Sequence, residues 1–181
     1  MNASSLPATQ HVSDAERGLL RKSVRDLLSS QWPADKAVES SGNAEAVGML
    51  WRSMAGGGLA SLGSDAAEVG LREIVLVFEE LGRAACPAPL LGAVAANLAL
   101  ANRPSNAGRA LLQDLHQGKA AVAAALGAFD GDGAAGRVQW RESALSGTIA
   151  FVEGMQTATH IVVFVAEPAS LAIVRAGASG L

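Results

Sequence analysis

Apolar residues recur at helical spacing along the first part of the chain and give way to β-type runs after about Lys119. Ser13 opens Ser-Asp-Ala-Glu, a capping box in which Ser13 caps a helix and Glu16 reaches back. Leu19, Leu20, Val24, Leu27 and Leu28 follow on one side, with Arg21, Lys22 and Arg25 on the other, and Pro33 cannot sit inside this helix. Asn43 caps a second helix carrying Val47, Leu50, Trp51 and Met54, which stops at Gly56-Gly57-Gly58. A third spans about Leu71 to Ala85, with Leu71, Ile74, Val75, Phe78 and Leu81 as its expected buried stripe, until Pro87 and Pro89 break it. Leu90 to Ala101 reads as a fourth helix lined with alanine, and Ala107 to Gln117 as a short fifth closed by Gly118.

Beyond Lys119, Val138, Trp140, Ile149, Phe151 and Val152 lie in β-type segments, and His160–Pro168 and Leu171–Arg175 are apolar, β-branched runs. Turn signals at 130–136, Ser146-Gly147, Gly154 and Pro168 separate them. Helices followed by strands predict an α+β fold: a tail over 1–12, an all-α domain over 13–118 and a partial β-sheet or barrel domain over 119–181.

Composition narrows the function classes. Half of the 181 residues are hydrophobic, enough for a core, while charged residues make up 17% and the net charge is −3, so nothing basic points to nucleic acid or anionic lipid. The single cysteine, Cys86, allows no intramolecular disulfide. The N-terminus lacks the basic-then-apolar order of a secretory signal, and the most apolar window, 87–101, is too short to span a bilayer. The expectation is a cytoplasmic protein.

The candidate chemistry is sparse. Glu79 and Glu80 are neighbours, so on a helix they point about 100° apart and do not share a proton as a catalytic pair would. Glu79 with Arg83 reads as an i,i+4 ion pair. Gly56-Gly57-Gly58 follows a helix and precedes no Gly-Lys-Ser/Thr, so it terminates a helix and cradles no phosphate. Asp130-Gly-Asp-Gly puts Ala134 and Arg141 where a calcium loop needs ligands, so it reads as a polar turn. His11, His116 and His160 have no metal spacing with Cys86. The residues themselves offer no catalytic group and no metal site.

The order of segments nonetheless resembles a known family. "LWRSMAGGGLASLG", "VFEELGRAACPAPLL", "LLQDLHQGKAAVAAAL" and "LSGTIAFVEGMQTATHIVVFVA" are similar to the N-terminal helical and middle β regions of the acyl-CoA dehydrogenases, over Leu19 to Val174. A helix ending in Glu-Glu-Leu-Gly-Arg before prolines is frequent in that family. The resemblance implies a FAD-dependent enzyme that dehydrogenates an acyl-CoA thioester between its α and β carbons, in fatty-acid or steroid side-chain catabolism, with the flavin carrying the redox step.

Carried over by position, the resemblance places Phe151 on the flavin and gives Leu126, Gly127 and Ala128 as a turn offering backbone donors. Family members usually have Thr-Glu or Ser-Glu where Gly127 and Ala128 stand, and a hydroxyl where Glu153 stands. The resemblance is expected to stop short of the family's third, helical domain, so that its catalytic glutamate carries over to no residue between Leu19 and Val174. These departures imply an alternative: a flavin-poor partner subunit in a homo- or hetero-oligomer with an acyl-CoA dehydrogenase-like chain. A helical binding module without enzymatic link is the third expectation. Unfinished sheet edges further imply that the isolated chain oligomerises, binds a missing half, or aggregates.

Overall fold

The computed structural model describes residues 12–65, 69–100, 105–125, 138–141, 144–150, 152–165 and 170–179. Among the described residues, six α-helices come first: α1 Asp14–Gln31, α2 Ala37–Ser41, α3 Ala44–Gly56, α4 Leu71–Arg83, α5 Leu90–Leu100 and α6 Asn106–His116. Five described strands follow: β1 Val122–Ala125, β2 Gln139–Arg141, β3 Ala144–Ser146, β4 His160–Val165 and β5 Ser170–Arg175. The α+β architecture read from the sequence is the one observed.

Capping fixes the helix starts where the sequence predicts. The Ser13 hydroxyl accepts from the Glu16 N–H, and Glu16 accepts from the Ser13 N–H at 2.7 Å. Asn43 Oδ1 accepts from the N–H groups of Glu45 and Ala46. Helix α4 lacks a side-chain cap at Gly70, and Glu73 instead accepts from the Gly70 N–H at 3.0 Å.

Strand β1 is the element the pattern hides. Val-Ala-Ala-Ala carries little β preference, yet all four residues are buried. It pairs in parallel with β4, from Val122 opposite His160 to Ala125 opposite Val163, and β4 pairs antiparallel with β5. An isolated antiparallel bridge joins Ala124 to Glu153 on the other side of β1. Strands β2 and β3 form a separate hairpin. Small residues suit β1 because α5 lies directly on it: a Cβ built on Gly92 would fall on the Val122 carbonyl oxygen.

Two apolar clusters result. The larger joins Val24 and Leu28 of α1, Val47, Leu50, Trp51 and Met54 of α3, the α4 and α5 cores, Ala120 to Val122, and Val162 of β4. The smaller sits on the opposite face of the sheet and contains Ala123, Ala125, Val138, Ile161, Val163, Val165 and Ala172. The Trp51 indole N–H donates to the Ala120 carbonyl at 2.8 Å, which ties α3 to the entry of β1.

The stripe expected on α4 is rotated. Leu71 and Val75 are exposed, whereas Glu73, Ile74, Leu76, Val77, Glu80 and Leu81 are buried. Leu19 of α1 is likewise exposed. The reason is electrostatic: α4 turns its carboxylates toward α1, whose arginines supply the counter-charges.

Candidate functional site

Arg17, Arg21 and Arg25 stand four residues apart on one face of α1 and meet α4 in order. Arg17 Nε donates to Glu73 at 2.8 Å, Arg21 Nη2 to Glu79 at 3.0 Å, and Arg25 donates to both oxygens of Glu80 at 2.6 and 3.0 Å. Arg21 and Arg83 flank Glu80 at 3.5 and 3.8 Å. The Arg83 contact is therefore with Glu80, and the expected Glu79–Arg83 pair is replaced by Glu79–Arg21, because α1 presents a guanidinium closer to Glu79. The hydrogen bonds from Arg25 hold the Glu80 carboxyl below the ordinary carboxylate range against the opposing effect of burial. Burial pushes Glu73 up, but Arg17 and the backbone donors outweigh it and leave the group lowered. Carboxylates held ionised and saturated with donors neither take up nor deliver a proton near neutrality. The acidic pair is a helix–helix joint.

A second polar node lies under α5. The buried Asn97 amide donates to the carbonyls of Ala60 and Leu62 at 2.9 and 2.8 Å, and its Oδ1 lies 2.9 Å from His116 Nε2. With the amide nitrogen donating twice, Oδ1 is the acceptor and His116 Nε2 carries the proton. Burial lowers the His116 pKa, so the ring is neutral at pH 7.

A third node marks the start of β4. The Thr159 hydroxyl donates to the Ala121 carbonyl at 3.0 Å and accepts from the Ala121 N–H at 3.1 Å. His160 Nδ1 lies 3.0 Å from the same oxygen. Burial first, and then the charge of Arg175, lower the His160 pKa against a smaller opposing effect of Asp114. Burial also raises the Cys86 thiol, which keeps it out of the nucleophilic thiolate form. Among the described residues no group of three or more His, Cys, Asp or Glu is placed to hold a metal.

A groove of about 1250 Å³ lies between the β2–β3 hairpin and the outer part of the sheet. Its walls are mostly apolar, from Val138, Leu145 and Ile149 to Ile161, Val163 and Val174, with Thr159 and Arg175 among the few polar groups. Phe151, Leu126, Gly127 and Ala128, the residues implied to meet a flavin, lie outside the described residues. Their flanks are described. The Ala124–Glu153 bridge brings the end of β1, just before Leu126, against the segment that follows Phe151.

Glu153 stands exposed at that bridge, and among the described residues no cation pairs with it. A free carboxylate there opposes the charge gained by a flavin on reduction, so the described residues at the bridge are a poor fit for FAD. The family resemblance singles out Glu153 in the sequence, but not Glu73, Asn97 or Thr159. For Asn97 alone, a single polar residue inside the apolar run 90–101 is the available signal.

Neither family models nor curated proteins match the sequence. Solved structures do. The chain is similar to a variant of the Tcur3481-Tcur3483 steroid ACAD (acyl-CoA dehydrogenase), at 28% identity and a TM-score of 0.73 over 92% of this chain and 49% of that one. It is similar in fold to the ChsE4-ChsE5 complex from Mycobacterium tuberculosis, at 14% identity and a TM-score of 0.68 over 94% of this chain and 50% of that one. An acyl-CoA dehydrogenase from Mycobacterium smegmatis matches at 18% identity and a TM-score of 0.69, over 93% of this chain and 49% of that one. The chain spans about half the length of the solved chains it matches. The fold is that of the acyl-CoA dehydrogenases, as the sequence motifs imply.

Proposed function

We propose that this chain works within an acyl-CoA dehydrogenase assembly that oxidises an acyl-CoA thioester, of fatty-acid or steroid side-chain type, between its α and β carbons. The observation that carries this reading is the 28% identical likeness to a steroid ACAD over 92% of the chain. FAD supplies the hydride acceptor in such an assembly. This chain's own residues, 13–118 as the helical part and 119–181 as the β part, supply scaffold: the α1–α4 ion pairs, the Asn97 node and the Gly92–Val122 contact fix the helices against one another and against the sheet.

Glu153 favours a second, narrower reading, in which the chain is the flavin-poor partner of a homologous flavin-bearing subunit. Two of the matched solved structures are named as pairs, which agrees with it. The test is the flavin absorption band of the purified chain. Stoichiometric FAD in the chain alone sinks the partner reading. A colourless chain that gains flavin and dehydrogenase activity on mixing with a homologous subunit supports it. A chain that binds no FAD and no such subunit overturns both.

A further inference from the structure

We draw no further inference here: the strongest candidate, the apolar groove between the β2–β3 hairpin and the outer part of the sheet, with Thr159 and Arg175 among its few polar groups, carries nothing, because the chain spans about half the length of the solved chains it matches and nothing in the structure shows what covers that face.

Discussion

The Glu80 carboxylate, 2% exposed on α4, accepts both prongs of the Arg25 guanidinium from α1, at 2.6 and 3.0 Å. A buried carboxylate is tolerated because its lone pairs are filled, and removing its charge loses charge-assisted bonds and leaves three arginines crowded together. Glu80→Gln should destabilise the chain by about 2 kcal/mol. The carboxyl is lowered in the folded state, chiefly by the Arg25 hydrogen bonds. The native state therefore binds fewer protons than the unfolded one, and the stabilisation is complete above the ordinary carboxylate range of about 4.3 and lost as pH falls below it. Urea midpoints of the unaltered chain and Glu80→Gln should converge below about pH 4. A gap that stays constant from pH 7 down would contradict this account.

Gly92 and Gly82 make opposite predictions from one substitution. A methyl on Gly92 collides with the Val122 backbone, whereas a methyl on Gly82 meets nothing within 4 Å. Gly92→Ala should cost about 3 kcal/mol or more through overpacking of α5 on β1. Gly82→Ala, on the exposed side of α4, should stabilise by roughly 0.5–1 kcal/mol through the unfolded state. Denaturant midpoints measured side by side check both, and equal midpoints would show that α5 does not rest on β1 as described.

Much of this fold is legible in the sequence because local chemistry and packing agree there. Ser13 and Asn43 announce their helices by capping, and Pro33 and Pro87 close the preceding ones. The α4 stripe is misread because hydrophobicity alone cannot see that Glu73 and Glu80 will be neutralised by Arg17 and Arg25, more than 50 positions away in sequence. Strand β1 is not marked by pattern because alanine stands there for its small size under Gly92, a tertiary reason that overrides β propensity. The site is legible only as a family likeness, since its implied contacts rest on backbone and on one aromatic ring rather than on a spaced set of reactive side chains.

Ala85 ends α4 with a φ of +46°, the left-handed conformation that favours glycine. The Cys86 N–H bonds to the Leu81 carbonyl at 3.0 Å and the Ala85 N–H to the Gly82 carbonyl at 3.1 Å, which is the Schellman arrangement with alanine in the glycine position. Ala85→Gly should relieve the methyl–carbonyl clash and stabilise by about 1 kcal/mol, less the greater entropy glycine loses on folding. A thermal midpoint lower than that of the unaltered chain would mean the helix does not end in this turn.

Asn97 is the one fully buried amide side chain among the described residues, and it joins α5 to the Leu59–Ser61 turn and to α6. Asn97→Leu keeps the volume but strands the carbonyls of Ala60 and Leu62 and the His116 N–H, so a loss of about 2–4 kcal/mol is expected. His116→Ala should cost less, because that ring is only part-buried and Asn97 keeps its two carbonyl partners. The two changes share a hydrogen bond, so the double variant should be less destabilised than the sum by at least about 0.5 kcal/mol. Burial lowers the His116 pKa, so the native ring is neutral. Its contribution is complete above the ordinary histidine value of about 6.5 and fades as pH falls below it, and His116→Ala should lack that slope. Denaturant titrations of the four proteins at pH 7.5 and pH 5.5 test both parts. Strict additivity would dissolve the node as a unit, and an identical pH slope in His116→Ala would assign the titration to another group.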